Sequence, residues 1–452
     1  MKQSAETNLT IGNPGKMILK FSIPILLTNL LQNLYSTIDT IVIGQFLGKE
    51  ALAGVGSTGA VNFLVIGFCM GLCMGFVIPL AQYFGAEDGH ALRQTWANSI
   101  WTSVLFSLFL TITVCIFCRS ILILMQTPES VLAPAYDYIF IIFLGIPITI
   151  SYNLLSGVVR SLGDSKSPLI FLMIASIVNI GFDIISVTIL DMGVRGPAVA
   201  TLLAQLFSSI LCIWHIRKHF PILKIKDMSE WKPEGRFMGL LCKMGVPMGL
   251  QFSITAIGSV ILQAGVNTLG ADAVAAVSAG TKFILFLQSP TDALGSSMST
   301  FAGQNVGARK VDRIGKGLRA AAIFGFIYSV SIFVVMLFGA KYCMLLFIKA
   351  SETKVISDAA LYCLISVGFF PLLVIINTFR FTIQGMGYST FAIIAGVMEM
   401  IARTLVGACL IPMFGYIAGC FSSPIAWVFG DIFLIPAYFY VMNRTKKRLN
   451  LS

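Results

Sequence analysis

The second half of this 452-residue chain repeats the first half at a spacing of 222 to 224 residues. LGKEALA at 47–53 corresponds to LGADAVA at 269–275 with an offset of 222. SLGDS at 161–165 corresponds to GMGYS at 385–389 with an offset of 224. A repeat of this length exceeds the unit of a solenoid, so we predict that each copy folds as a helical bundle of its own.

Long apolar stretches indicate that both bundles lie in a membrane. The chain is 57% hydrophobic and 11% charged, which is outside the range of soluble globular proteins. Twelve apolar stretches, six in each copy, are long enough to cross a bilayer, which takes about 20 residues. We therefore predict an all-α polytopic membrane protein with twelve transmembrane helices in two six-helix lobes related by the internal repeat. Because six is even, the axis between them should run along the membrane normal, as in transporters built from parallel repeats.

The predicted domains follow from the longest polar interruption between these stretches. The amino-terminal lobe spans 1–217, a cytoplasmic linker spans 218–239, and the carboxy-terminal lobe with its basic tail spans 240–452. Pro24 and Pro247 occupy matching places near the start of the first helix of each lobe. A proline inside a helix favours a kink, which is either a static bend or a hinge. Pro24 is the candidate hinge.

The positions of lysine and arginine predict the orientation. With the amino terminus inside the cell, the inner segments carry 21 of these residues and the outer loops carry six. Positive residues favour the cytoplasmic side, so we expect a multi-pass protein of the plasma membrane, the inner membrane where a cell has two, with both termini cytoplasmic. Anionic lipid headgroups then account for the net charge of +11, and no nucleic-acid partner is expected.

Polar side chains cluster at one depth in the first lobe. Asp39, Asp183 and Thr201 lie about 8–10 Å below the predicted outer surface, and Asn179 lies one helical turn below Asp183 on the same face. Charged groups inside a membrane are costly and mark functional sites. Two carboxylates, an amide and a hydroxyl suit a small hard cation, and they suit a proton equally well. The alternative is four unrelated groups that satisfy local hydrogen bonds.

The second lobe carries charges of its own. Glu399 and Arg403 are four residues apart on one predicted helix, which favours a mutual ion pair. Lys282 and Asp292 share another helix, and Asp431 lies in the last one. These residues are candidates for substrate binding or gating.

Several motifs, taken in order, resemble those of the multidrug and toxin extrusion (MATE) family. They are Pro24 followed by NLYSTIDTIVIG at 33–44, NIGFD at 179–183, GVRGPAVAT at 193–201, and the Gln-x-x-Gly-Ala runs that begin at Gln82 and Gln304. Members of this family are twelve-helix antiporters with two six-helix lobes that expel organic compounds in exchange for Na⁺ or H⁺. The resemblance covers roughly 14–443. It implies that Asp39, Asn179, Asp183 and Thr201 form the cation site of the amino-terminal lobe.

One departure from the family pattern concerns the second lobe. Members of the NorM-like branch carry an acidic residue on the seventh helix at the place of Thr255. At the 224 offset, Asn179 and Asp183 correspond to Arg403 and Gly407. We therefore predict that coupling is confined to the first lobe, as in the DinF-like branch.

The resemblance implies a secondary active antiporter that exports organic, cationic or amphipathic drug-like compounds by alternating access. Its coupling ion would be Na⁺ or H⁺, with no other cofactor or metal, and its partners would be small organic substrates and membrane lipids. A monomer is expected. Enzyme activity is disfavoured because neither HExxH nor GxSxG occurs and the three histidines, His90, His215 and His219, are predicted outside the apolar cores of the helices. The alternative is a flippase or exporter of a lipid-linked or polyprenyl precursor, which would need a cationic cavity; the intramembrane candidates are Lys282, Arg380 and Arg403.

Overall fold

The computed structural model describes residues 8–125 and 127–451, and these residues form helices and connecting turns without a β-strand. Residues 1–7, 126 and 452, which belong to the predicted lobes, lie outside the described residues. The first helices are α1 (Pro14–Val42), a π-helical turn (Ile43–Leu47), α2 (Gly48–Ser57), α3 (Gly59–Gly85), α4 (Gly89–Leu124), α5 (Glu129–Leu144), α6 (Ile146–Ser161), α7 (Lys166–Thr188) and α8 (Arg195–His219). A 3₁₀ turn (Pro221–Leu223) and α9 (Met228–Trp231) follow. The remaining elements are α10 (Gly235–Asn267), α11 (Ala271–Gly307), α12 (Val311–Met344), α13 (Thr353–Gly368), α14 (Phe370–Gly385), α15 (Thr390–Leu405), a second π-helical turn (Val406–Leu410), α16 (Ile411–Phe414), α17 (Tyr416–Cys420) and α18 (Ser422–Arg448).

The membrane spans agree with the prediction of twelve. Ten helical segments of the described chain are long and apolar enough to cross a membrane, and two bent helix pairs bring the number to twelve. The pairs are α5 with α6, bent by 50°, and α13 with α14, bent by 51°. Pro147 and Pro371 lie in the first turns of α6 and α14, where a proline begins a helix but cannot continue the preceding one.

The described chain packs as two compact units. Unit 1 contains Leu27–Ser253 together with residues 8 and 9, and unit 2 contains Thr10–Leu26 and the chain from Ile254 onward. Both divisions fall inside a long helix: α1 changes unit after Leu26, and α10 changes unit after Ser253. The units therefore exchange the initial segments of α1 and α10 relative to chain order.

The exchanged segment of α10 is held in unit 1 by direct backbone contact. A Cβ atom added to Gly75 of α3 would lie 2.4 Å from the Cα of Gly245 of α10. One turn away, a Cβ on Gly71 would lie 2.5 Å from the carbonyl oxygen of Met248. Only glycine permits so close an approach, and small residues serve this purpose between membrane helices.

Polar contacts hold the residues just before α1 in unit 2. Lys310 Nζ donates to the carbonyl oxygen of Thr10 at 3.1 Å, and Arg313 Nη1 donates to the carbonyl oxygen of Gly12 at 3.0 Å. The basic residues that follow the second Gln-x-x-Gly-Ala run therefore anchor the turn that leads into α1.

Candidate functional site

The four predicted site residues of the first lobe come from three helices of unit 1. Asp39 lies on α1 and is 9% exposed, and Thr201 lies on α8. Thr201 Oγ1 donates to Asp39 Oδ2 at 3.4 Å, a long hydrogen bond. A Cβ on Gly196, at the start of α8, would lie 2.4 Å from Ser186 Oγ of α7. This glycine lets α8 approach α7 closely enough to place Thr201 in the group.

Asn179 and Asp183 complete the group from α7. They are 2% and 0% exposed, and they face the same side because they are four residues apart. The carboxyl groups of Asp39 and Asp183 are neighbours that act directly on each other. The structure thus brings all four predicted side chains together in one buried group.

Five polar atoms of this group have no hydrogen-bond partner among the described residues. They are Asp39 Oδ1, both carboxyl oxygens of Asp183, and the amide oxygen and nitrogen of Asn179. Burying a carboxylate without a donor or a counter-charge costs several kcal/mol. Two adjacent carboxyl groups of this kind fit a bound proton or a small hard cation, for which the amide and hydroxyl oxygens are further ligands.

Residues that sequence reasoning missed surround this group. Tyr138 of α5 lies close enough to act electrostatically on both carboxyl groups. A cavity beside the group is lined by Tyr35, Tyr152, Asn179, Thr201 and Gln205, among others. A tyrosine or glutamine in a long apolar stretch gives no signal that distinguishes a cavity wall from a packed core.

The corresponding place in unit 2 is closed by packing. Asp39 corresponds to Ile261 at the 222 offset, and Asp183 corresponds to Gly407 at the 224 offset. Gly407 lies in the second π-helical turn, and a Cβ on Gly265 of α10 would be 2.6 Å from its carbonyl oxygen. Backbone contact fills the space that carboxyl groups occupy in unit 1.

In the second lobe, the predicted ion pair of Glu399 with Arg403 is part of a larger group of charged residues. Arg403 Nη2 lies 3.8 Å from Glu399 Oε2, but Arg380, which the sequence did not suggest as a partner, makes the closer ion pair with Glu399. Asp292 accepts a hydrogen bond from Asn377 Nδ2 at 2.8 Å. Lys282 is exposed and makes no ion pair within the described residues.

The sequence profile of the MatE family matches residues 24–185 and 247–409, one segment in each half of the chain. The chain belongs to the MATE family. The two matches confirm the internal repeat, and they identify a membrane transporter of the multidrug efflux family rather than an enzyme.

Individual relatives and a solved structure are consistent with this assignment. The chain is 28% identical over 349 residues to the probable multidrug resistance protein YoeA of Bacillus subtilis, covering 75% of each chain. It is 23% identical over 354 residues to the DNA damage-inducible protein F of Escherichia coli, covering 77% of this chain and 76% of that one. A structure of a multidrug resistance MATE transporter in an outward-facing conformation matches with a TM-score of 0.89 over 99% of both chains, at 21% identity. At that identity the structural match supports the two-lobe fold.

Proposed function

We propose that this MATE protein is a secondary active antiporter that exports organic, cationic or amphipathic compounds in exchange for Na⁺ or H⁺ by alternating access. The observation that supports it most is the group of buried polar atoms without partners on Asp39, Asn179 and Asp183. Such a group is stable once a cation or a proton is bound, so its occupancy can bias the conformation of the helices that carry it. The drug-resistance name of the Bacillus relative supports export of drug-like compounds.

In the proposed mechanism, a cation that enters from outside neutralises Asp39 and Asp183. Because Asp39 lies on α1, the change of charge acts on the helix that passes from unit 2 to unit 1 just after Pro24. α1 then rearranges about Pro24 and substrate is released outward.

The flippase alternative has less support. A pyrophosphate headgroup needs unpaired cationic side chains. Arg380 and Arg403 are both engaged with Glu399, and Lys282 is an exposed residue. We propose small organic substrates for this reason, and a monomer with both termini cytoplasmic.

The experiment that tests the antiport proposal is efflux of a fluorescent cationic dye from proteoliposomes under an imposed Na⁺ gradient or an imposed pH gradient. The variants are Asp39→Asn, Asp183→Asn and the double substitution, with Asp191→Asn as the matched control because Asp191 is an exposed carboxylate of the same unit. We expect one gradient to drive efflux, a loss of at least tenfold in each site variant, and an unchanged rate in the control. Exchange that persists in the double variant would contradict the proposal.

A further inference from the structure

A second buried carboxyl group without partners lies in unit 2. Asp431 on α18 is 5% exposed, and neither of its carboxyl oxygens has a hydrogen-bond partner in the part of the chain that the structure describes. Arg380 Nε is also buried and lacks a partner there. The charged groups that act on Asp431 are Arg380 of α14 and Glu399 of α15.

The two arginines of this region contact Glu399 rather than Asp431. Glu399 is paired with Arg380 on one oxygen and lies 3.8 Å from Arg403 on the other. Arg403 Nη1 also donates to the carbonyl oxygen of Thr255 at 3.2 Å and to Ser259 Oγ at 3.1 Å. Glu399 therefore forms ion pairs with two guanidinium groups, whereas Asp431 forms none within the described residues.

The charges of the cluster do not balance when every group is ionised. The carboxyl groups are Glu399, Asp431 and Asp292, on which Arg380 also acts, and the guanidinium groups are Arg380 and Arg403, so one negative charge is in excess. Among the described residues, the other helices packed against α18 add no charge that acts on Asp431: the charged residues of α12 lie near its two ends, and α17 has none. An uncompensated charge in a membrane interior costs several kcal/mol, so one bound proton or monovalent cation is required for neutrality.

A proton fits this place better than a metal ion. A hard metal cation needs several oxygen ligands, but the atoms without partners here are the two oxygens of one carboxyl group and an arginine nitrogen. The neighbouring Arg380 guanidinium also repels a cation. A proton needs only one carboxyl oxygen.

We propose that Asp431 is a proton-binding site of unit 2, separate from the Asp39–Asp183 group. With the proton bound, Arg380 stays with Glu399. When the proton leaves, Asp431 becomes an anion and draws the Arg380 guanidinium, whose Nε has no other partner, away from Glu399. Protonation of Asp431 thus selects between two pairings of one arginine, which makes the packing of α14, α15 and α18 sensitive to pH. The inference concerns carboxyl groups of the other unit and does not depend on the proposed antiport mechanism.

Infrared spectroscopy of the purified full-length protein tests this site, because a protonated carboxyl group has a C=O stretching band that shifts in D₂O. We expect one component of the wild-type band at neutral pH to be lost in Asp431→Asn, and to be retained in the Asp39→Asn, Asp183→Asn double variant and in Glu352→Gln, an exposed carboxylate of unit 2. Asp431→Glu should keep the band at a shifted frequency. A spectrum unchanged by Asp431→Asn would overturn the proposal, as would loss of this Asp431-dependent component on adding Na⁺ at constant pH.

Thermal unfolding gives an independent readout. Asparagine has the shape of a protonated aspartic acid, so Asp431→Asn should match the wild type below about pH 4, where this carboxyl group is protonated in the unfolded chain as well. Above that pH the unfolded wild type is stabilised by ionisation, so the variant should be the more stable protein at neutral and high pH. A variant that unfolds at neutral pH would indicate an ionised, paired Asp431 and would also contradict the proposal.

Discussion

At the scale of single residues, a buried carboxyl group that accepts several hydrogen bonds has a structural role, whereas one without donors is a candidate for ion or proton binding. Asp164, between α6 and α7, accepts hydrogen bonds from the backbone of Lys166 and Ser167 at 3.0 Å, from Ser167 Oγ at 2.6 Å, and from His215 Nε2 at 3.0 Å. Burial opposes ionisation of Asp164, but the hydrogen bonds from His215 and Ser167 outweigh it and hold the pKa of this carboxyl below its usual value. Asp183 has no such donors among the described residues.

Asp164→Asn should therefore destabilise the protein, with a loss of about 1–3 kcal/mol because donors lose a charged acceptor. The pKa of Asp164 is lower in the folded state than in the unfolded state. The ionised carboxyl group therefore contributes its full stabilisation above the unfolded pKa of about 4, and this stabilisation is lost as pH falls through the folded pKa. The difference in free energy of unfolding between Asp164→Asn and the wild type should narrow below about pH 4. Thermal unfolding in detergent measured as a function of pH checks this, with Asp191→Asn as the control; a difference that is constant with pH would disagree.

At the scale of elements, α1 is the helix whose behaviour decides the proposed mechanism. Pro24 is buried within it, and the change from unit 2 to unit 1 follows after Leu26. Pro24→Ala should stiffen α1, because alanine supplies an N–H group and removes the clash of the proline ring with the preceding turn. We expect efflux to slow severalfold without loss of thermal stability. Pro79→Ala is the matched control, since Pro79 is buried inside α3, which lies wholly in unit 1; equal rates for the two variants would argue against a hinge.

The spans, their bends and the grouping of polar residues could be predicted from the sequence, whereas contacts between helices could not. Apolar length predicted the twelve spans because the bilayer imposes it, and Pro147 and Pro371 lie at the bends inside two of them. The depth of polar residues predicted the grouping of Asp39 with Asp183. Partners that meet only through helix packing, such as Arg380 with Glu399, leave no periodic signal, because their spacing of 19 residues crosses a turn between helices.

At the scale of the whole molecule, the segment between the predicted lobes is docked rather than loose. Glu230 of α9 is 2% exposed and accepts hydrogen bonds from Arg93 Nε at 2.8 Å and from the backbone of Lys226 at 2.9 Å. His90 Nδ1 lies 3.0 Å from the same carboxylate. Trp101 Nε1 donates to the carbonyl oxygen of Trp231 at 2.9 Å. The predicted linker is thereby fixed to α4, within unit 1.

Glu230→Gln should release this segment, because it leaves the buried Arg93 guanidinium without its counter-charge, a change that costs about 3–5 kcal/mol in buried pairs. Limited trypsin digestion should then cleave at least tenfold faster at the basic residues of the segment, which are Lys224, Lys226, Lys232 and Arg236. Asp272→Asn is the control, since its ion pair with Lys354 is exposed and contributes at most about 1 kcal/mol.

If the segment limits how the units move, efflux by Glu230→Gln should change in rate while its dependence on the coupling ion stays that of the wild type. Cleavage unchanged from the wild type would mean that Glu230 does not hold the segment in place.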